Sequence, residues 1–140
     1  MDRRNFIRFG VAATAGGLIV PSISLAEGTM SGAGGIYFTK DQPGRWAAKA
    51  GGHAPMITLQ KGDGQTAVEV VTPHEMKQYE HYIIKHILLD KDYNFIAEYM
   101  FDPDKDLQPR SEFKLDGYSG ALFAISTCNK HDTWLTMAEV

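Results

Sequence analysis

Short extended patterns, separated by turn residues, account for most of the chain after residue 54. Residues 66–71 alternate apolar and polar side chains, and residues 82–89 are apolar and rich in β-branched types. Both patterns are typical of β-strands. A glycine-rich sequence, KGDG at residues 61–64, follows the first extended stretch and favours a hairpin turn. The pattern therefore indicates a chain built mainly of strands.

Seven strands are predicted, at residues 55–60, 66–71, 82–89, 94–101, 111–115, 121–127 and 134–137. No segment shows a long helical period, although residues 73–79 could form one turn. About seven short strands, with turns roughly every 8 to 12 residues, are typical of two antiparallel sheets packed face to face. The pattern therefore predicts a single all-β sandwich domain, without internal repeats.

The first 26 residues are predicted to form a twin-arginine export signal. Arg3-Arg4 precedes a weakly apolar run at residues 9–20, and the small-residue sequence SLA ends the segment at residue 26. The run is too short for a stable membrane span, although a retained amphipathic anchor is an alternative. The twin-arginine route carries folded proteins, so we expect a periplasmic protein whose metal is inserted before export.

Removal of this signal leaves 114 of the 140 residues, enough for one domain. The signal carries three arginines and one aspartate, so the net charge changes from −3 for the whole chain to −5 for the mature part. No basic patch is present, which argues against a nucleic-acid partner. Residues 27–44 begin with a run rich in glycine and serine and are expected to be flexible, leaving 45–140 as the domain.

Five residues suggest a metal site. Cys128, the single cysteine, is followed three residues later by His131, and His53, His74 and His81 lie upstream at predicted strand ends. One thiolate with several imidazoles suits iron, copper or zinc rather than magnesium or calcium. The alternative is that Cys128 is a small buried apolar residue. The fifth histidine, at 86, lies inside a predicted strand and is expected to be packed in the protein or exposed on its surface.

These residues together resemble the iron-binding domain of superoxide reductases, the neelaredoxin and desulfoferrodoxin family. The resemblance runs from about residue 45 to 138 and rests on HAPMI at 53–57, on His74 with HYI at 81–83, and on CNKHDTW at 128–134. It implies an immunoglobulin-like antiparallel sandwich. It also implies iron held by four equatorial imidazoles and an axial thiolate, with a sixth position open for the one-electron reduction of superoxide to hydrogen peroxide.

Residue by residue, the resemblance implies equatorial ligation by His53, His74, His81 and His131 and axial ligation by Cys128, with one iron per chain cycling between Fe²⁺ and Fe³⁺. The implied partners are superoxide and an external electron donor such as a small redox protein. The resemblance also implies a homo-oligomer, either a dimer or a tetramer.

The chain departs from the family pattern at several positions. Gly51-Gly52 stand where the family usually has the pair Glu-Lys before the first histidine, and the connector 74–81 is one residue longer than usual. Lys85 stands where a tryptophan often packs near the iron, and Asp132 replaces a glycine. The resemblance therefore supports the metal ligands and leaves the groups around them open.

A lysine near the metal would attract the superoxide anion, and the usual one is missing. Lys49 and Lys85 are the candidate replacements, with Lys130 as a third. The alternative is that all three are ordinary surface lysines. Glu75 or Glu80 in the connector could similarly replace the missing glutamate, although each is expected to be solvated.

The sequence also allows three functions besides superoxide reduction. A blue-copper-like electron-transfer protein would use Cys128, His131 and Met137, which follow one another in the order such sites use. Its centre takes only two imidazoles, and this chain offers four at separated positions. A structural zinc site is the second possible function, and an iron sensor without superoxide turnover is the third.

Overall fold

A computed structural model describes residues 32–140; the predicted export signal at 1–26, and residues 27–31 of the segment expected to be flexible, lie outside the described residues. The described chain begins with an irregular segment, a 3₁₀-helix (Gly44–Lys49) and a one-turn α-helix, α1 (Ala50–His53). Seven strands follow: β1 (Met56–Lys61), β2 (Gln65–Val71), β3 (Ile83–Leu89), β4 (Phe95–Met100), β5 (Arg110–Asp116), β6 (Ala121–Cys128) and β7 (Thr133–Glu139). Between residues 32 and 140, no helix has the length and apolar character needed to cross a membrane.

The strands form two antiparallel sheets. One sheet has the order β1-β2-β5, and the other has the order β4-β3-β6-β7. These two sheets confirm the predicted all-β sandwich, and each predicted strand coincides with an observed one, with end positions shifted by no more than two residues. The turn residues in the sequence therefore predict the strand ends to within two residues.

The core lies between the two sheets and follows from the alternating patterns. Burial in β2 alternates residue by residue, which turns Val68 and Val70 inward. They pack against Leu88 of β3 and Leu122 of β6, all at most 1 % exposed. Burial of one such side chain contributes roughly 1.5–3 kcal/mol, so this small cluster is the main apolar support of the fold.

A chain of buried polar groups also links the two sheets. On β3, His86 contacts the hydroxyl of Thr72 through Nε2 at 2.8 Å and that of Ser111 through Nδ1 at 2.8 Å. Thr72 in turn contacts the hydroxyl of Ser126 at 2.7 Å. All four side chains are buried. His86 is therefore the packed histidine that the sequence allowed, with both ring nitrogens hydrogen-bonded.

We expect the buried imidazole of His86 to make the fold sensitive to acid. Burial lowers the pKa of His86 from 6.5 to about 4. The unfolded chain therefore takes up this proton first, and stability falls as the pH drops through 6.5 towards 4, by on the order of 3 kcal/mol. Replacement of His86 by glutamine, which keeps hydrogen-bonding groups but does not titrate, should reduce the difference in urea midpoint between pH 7 and pH 5. An unchanged difference would contradict this assignment.

The helical segment at residues 44–53 was not predicted. It has no apolar stripe, since none of the 3₁₀-helical residues is buried, and Trp46 within it departs from helical geometry. Gly51 and Gly52 further weaken any helical signal in the sequence. The single helical turn allowed at residues 73–79 does not form; residues 78–80 instead make a turn closed by the antiparallel bridge between Lys77 and His81.

The segment before this helix packs more closely than its composition suggests. Phe38 is fully buried, its ring lies 5.7 Å from that of Trp134, and its backbone bonds to Thr133 and Leu135 along the outer edge of β7. A Cβ atom at Gly44 would lie 2.2 Å from the carbonyl oxygen of Gly34, so these two turns are in close contact. The flexibility expected for residues 27–44 therefore does not extend to Phe38, whose apolar ring fills the space above β7.

Candidate metal centre

All five residues predicted as metal ligands meet at one end of the sandwich. His53 is the last residue of α1, His74 follows β2 and His81 precedes β3. Cys128 ends β6, and His131 lies in the short loop before β7. Each side chain therefore stands at the end of a regular element, where the two sheets hold it in place.

The ring nitrogens of the four histidines face one another at nearly equal distances. Nδ1 of His131 lies 3.1 Å from Nε2 of His53 and 3.1 Å from Nε2 of His81, and Nε2 of His81 lies 3.0 Å from Nε2 of His74. Ring centroids of neighbours are 4.3–4.9 Å apart, whereas those of His53 and His81 are 6.1 Å apart. Ligands at right angles around one ion, with bonds of about 2.1 Å, stand about 3.0 Å apart. The nitrogens, taken from His53 through His131 and His81 to His74, therefore match three sides of a square of ligands around a single metal ion.

The sulfur of Cys128 lies close to this square. Sγ is 3.6 Å from Nδ1 of His131 and 3.8 Å from Nε2 of His74. One ligand atom from each of His53, His74, His81 and Cys128 can be chosen so that all lie within 4.8 Å of one another. His131 is not in that set, and it joins the cluster through the contacts of its Nδ1 with His53, His81 and Cys128.

The hydrogen bonds on the outside of the cluster fix which nitrogen carries the proton. Nδ1 of His53 donates to the carbonyl oxygen of Lys49 at 2.9 Å, and Nδ1 of His74 donates to that of Glu75. Nδ1 of His81 lies 3.3 Å from a carboxylate oxygen of Glu75. Since these oxygens only accept, each inner Nε2 keeps a lone pair. Three lone pairs pointing at one another repel unless a cation lies between them, so the outer contacts themselves fit a metal site.

Burial also favours the neutral form of three of the four imidazoles. Burial lowers the pKa of His53 from 6.5 to about 4, and burial likewise lowers the pKa values of His74 and His131. The lone pairs are therefore available near neutral pH without competition from protons.

Apart from its contacts with the imidazoles, Cys128 packs among apolar residues and accepts one backbone hydrogen bond. It is 4 % exposed and packs with Ile83 and Phe101, while Met76 covers the same cluster. The backbone N–H of Lys130 donates to its sulfur at 3.4 Å. Such a donor steadies a thiolate and tunes its donation to a metal. The interpretation of Cys128 as a plain apolar core residue does not account for the imidazoles around its sulfur.

Asn129 and Trp134 support the loop between β6 and β7. The side-chain oxygen of Asn129 accepts from the backbone of Tyr82 at 3.0 Å, and its amide donates to the carbonyl of Glu80 at 3.1 Å. The indole of Trp134 donates to the carbonyl of His131 at 2.8 Å. The loop that carries Cys128 is thereby tied to the connector before β3 and to the core.

A cluster of three residues joins the loop to the unpredicted helix. The carboxylate of Asp132 accepts from the indole of Trp46 at 2.7 Å and from the guanidinium of Arg45. The indole hydrogen bond, followed by that of the guanidinium, lowers the pKa of Asp132. The ring of Trp46 lies edge-on to that of His131, with centroids 4.8 Å apart. None of these partners was singled out from the sequence, because they stand 86 residues apart and only the fold brings them together.

The candidate lysines occupy different surroundings. Lys49 is exposed on the helix before His53, and its charge adds to that of Lys130 in lowering the pKa of His131, after burial and the charge of His81. Lys85 instead pairs with Glu98 of β4 at 3.4 Å. The structure therefore brings Lys49 near the cluster and gives Lys85 a carboxylate partner on the neighbouring strand.

The space around the two glycines before His53 would admit a side chain. A Cβ atom at Gly51 would meet nothing within 4 Å, and one at Gly52 would lie 3.5 Å from the carbonyl oxygen of Pro73. Neither position therefore requires glycine for reasons of space. Of the two candidate carboxylates in the connector, Glu80 pairs with Lys77 at 3.3 Å, while Glu75 contacts the outer nitrogen of His81.

The blue-copper hypothesis finds no support in the position of Met137. This residue pairs with Phe123 in the middle of the sheet, whereas Thr133 pairs with Thr127 next to the cluster. Four residues of strand span about 13 Å. Met137 is exposed and too far along β7 to reach the sulfur of Cys128.

Comparisons with known proteins point to one family. The desulfoferrodoxin family profile matches residues 45–137. The fold resembles that of a superoxide reductase (neelaredoxin) from Ignicoccus hospitalis, at 28% identity and a TM-score of 0.63, over 75% of this chain and 94% of that one. A superoxide reductase solved in the oxidised state gives 25% identity and a TM-score of 0.54, over 63% and 87%. One from Nanoarchaeum equitans, at 21% identity and a TM-score of 0.56 over 64% and 93%, shows likeness of fold alone. Among curated protein sequences, none matches this chain significantly.

Proposed function

The chain belongs to the desulfoferrodoxin family, and on that premise we propose that it is a superoxide reductase with one mononuclear iron. The ion would be held by one imidazole nitrogen from each of His53, His74, His81 and His131 and by the sulfur of Cys128. The reaction consumes one superoxide, one external electron and two protons, and it produces hydrogen peroxide. The observation that carries the proposal is the square of four imidazole nitrogens beside a single buried sulfur.

The donor set favours iron over copper and zinc. Four imidazoles exceed the two that blue-copper sites use, and one cysteine is fewer than most structural zinc sites contain. A thiolate with neutral imidazoles suits a metal that changes oxidation state. Iron, when bound, would supply the single electron and an open position for superoxide.

The protein would hold the thiolate in position and would provide positive charge near the metal. Cys128 is held as a donor by the apolar packing of Ile83 and Phe101 and by the N–H of Lys130. Lys49, exposed beside the cluster, would attract the superoxide anion although the chain is acidic. Since Gly51 and Gly52 carry no titratable group, we expect solvent water to deliver the protons. A further carboxylate ligand from this segment is absent for the same reason.

Metal analysis combined with superoxide consumption tests the proposal. The purified mature protein, residues 27–140, should contain about one iron per chain and should consume superoxide with formation of peroxide when an electron donor is supplied. Stoichiometric zinc without consumption would contradict the proposal. Iron without consumption would favour an iron sensor.

Lys49 is expected to assist the encounter with superoxide. Replacement of Lys49 by alanine should lower the second-order rate constant roughly threefold at low salt and leave the iron content unchanged. The difference should shrink near physiological ionic strength, where charges are screened over about 8 Å. Pulse radiolysis across a salt series measures this rate constant.

Two matched variants accompany that measurement. Lys49→Arg keeps the charge and should retain the rate constant of the wild type. Lys85→Ala removes a lysine that is paired with Glu98 and should have a smaller effect. A rate for Lys49→Ala equal to that of the wild type at low salt would show that Lys49 is not recruited.

We also propose that the protein is exported folded and already loaded with metal. The support is Arg3-Arg4 ahead of the weakly apolar run at residues 9–20. Replacement of both arginines by lysine should leave the precursor in the cytoplasm, with metal bound, as cell fractionation and metal analysis would reveal. Unchanged accumulation in the periplasm would contradict the proposal.

The proposed partners are a small redox protein as electron donor and further copies of this chain. A row of apolar residues crosses the four-stranded sheet in register, Phe95 beside Leu89, Phe123 and Met137. Its two ends, Phe95 and Met137, are exposed. This row supports a dimer or a tetramer, because contact between copies would remove it from water.

A further inference from the structure

The outer nitrogen of His131 differs from those of the other three imidazoles. His53, His74 and His81 each use Nδ1 to contact an oxygen of the protein. For Nε2 of His131, no hydrogen-bond partner occurs between residues 32 and 140. Rotation of a ring ligand is normally fixed by such an outer partner. His131 therefore needs another support if its Nδ1 is to keep facing the cluster.

Trp46 and the loop backbone are the supports that the structure offers. The edge-on ring of Trp46 lies against the imidazole of His131, with centroids 4.8 Å apart. Trp46 itself lies at the irregular point of an exposed 3₁₀-helix, and it packs against the buried cluster of Phe38, Ala54 and Trp134. The orientation of its indole is further set by the carboxylate of Asp132, which accepts from the indole N–H at 2.7 Å. The guanidinium of Arg45, over the rings of Phe38 and Trp46, contacts the same carboxylate.

Asp132 adopts a backbone conformation that is costly for it. Its φ angle is 63°, in the left-handed region that glycine occupies more easily. A residue held there at a cost of about 1 kcal/mol suggests that its side chain is needed. The carboxylate follows a metal ligand directly and reaches across to the helix that ends in His53. The costly conformation and the contacts with Trp46 thus point to the same residue.

From these contacts we propose that Asp132 and Trp46 are positioning residues for His131. Asp132 holds the indole, and the indole restrains the imidazole, in place of the outer hydrogen bond that the other three histidines make. The pair also joins the helical segment at residues 44–53, which ends in His53, to the loop that carries His131. The inference rests on the proposed metal site, and it concerns how the ligands are arranged before a metal binds.

Variants at position 132 separate this role from a purely structural one. Asp132→Gly removes both the conformational strain of the left-handed backbone and the carboxylate. Asp132→Asn keeps an oxygen that accepts from the indole, and asparagine also tolerates this conformation. If Asp132 matters only for the backbone, Asp132→Gly should be equal to the wild type or better. If it positions His131 through Trp46, Asp132→Gly should weaken metal binding about tenfold, and Asp132→Asn should stay within about twofold of the wild type.

Two measurements are made on the full mature chain. The first is the affinity for zinc, used as a redox-inactive probe, by competition with a chelator. The second is the NMR spectrum of the metal-free protein with labelled histidine, in which the His131 ring signals should broaden or shift in Asp132→Gly and in Trp46→Ala. Trp46→Phe keeps a ring but loses the indole N–H, and it should fall between the wild type and Trp46→Ala. Glu112→Gln, which removes an exposed contact with Arg110 away from the cluster, is the matched control.

The outcomes distinguish the positioning role from the metal site on which it rests. Failure of the wild type to bind zinc or iron would overturn the metal site itself. Normal binding by the wild type together with undiminished affinity and unchanged His131 signals in Asp132→Gly would overturn the positioning role alone. A loss in Asp132→Asn equal to that in Asp132→Gly would also overturn it, because the contact with Trp46 would then not be the one that matters.

Discussion

In the Cys128→Ser variant we expect the visible absorption of the iron-loaded protein to disappear and the rate of superoxide reduction to fall by more than about 100-fold. Mutation of a residue that is hydrogen-bonded to a metal ligand already lowers metal affinity or activity about 10- to 100-fold. Here the thiolate ligand itself is removed. A serine oxygen is a harder, weaker donor than a thiolate, so electron donation to the metal decreases. Absorption spectroscopy and a superoxide-consumption assay on the same sample measure both effects.

Serine is nearly the same size as cysteine, so its replacement of the buried Cys128 should leave the fold intact. Cys128 is 4 % exposed, and serine is slightly smaller, so the circular dichroism of the variant should match that of the wild type. Thr127→Ser, at the neighbouring position of β6, is a suitable control because its side chain contacts Thr133 rather than the cluster. An unchanged spectrum and unchanged metal content in Cys128→Ser would remove the thiolate from the site.

Removal of the metal is expected to lower the melting temperature by about 10 to 20 °C. A ligand present at about 100 times its dissociation constant stabilises the folded state by about 2.7 kcal/mol, and for a domain of this size each kcal/mol corresponds to roughly 4–8 °C. The physical reason is local. Without a cation, the lone pairs of His53, His74 and His81 face one another in a pocket where burial, by lowering their pKa values, also disfavours protonation of His53 and His74.

Calorimetry with and without a chelator measures this shift. The same scans on His53→Ala and His131→Ala, which each remove one corner of the square, should show a smaller effect of the chelator. His86→Gln is the control, since His86 lies in the core network and not among the ligands, and the chelator should act on it as on the wild type. A melting temperature that does not respond to the chelator in the wild type would contradict a metal that contributes to folding.

The strands were predictable because each carries its information locally. The alternation in β2 and the apolar run in β3 are visible within a few residues, and turn sequences such as KGDG mark their ends. The helix at residues 44–53 was not predictable, because its exposed side chains and paired glycines carry no period. The position of Phe38 was missed for a related reason, since a single buried ring in a glycine-rich segment gives no pattern.

The proposed ligands could be picked out from residue type and order, whereas the residues that support them could not. One cysteine and four separated histidines are rare enough in sequence to suggest a metal, and the structure brings all five together. The contacts of Asp132 with Trp46 and of Asn129 with Tyr82 depend on distances between segments that only the folded sandwich sets. Local sequence specifies which atoms can bind, and tertiary structure specifies how they are held.

The distance along the chain between the first and last ligands has a consequence for the order of folding. His53 and His131 are 78 residues apart, and the two strand pairings that close the intervening chain, β2 with β5 and β3 with β6, join strands that are distant in sequence. Closing so long a loop is entropically costly, and non-local strand pairing is slow. A metal ion held by one or two histidines cannot offset that cost, so it cannot nucleate the fold. The species that captures metal is therefore a chain whose sandwich has already assembled, and the rate of metal loading in a cell should be limited by the rate of folding.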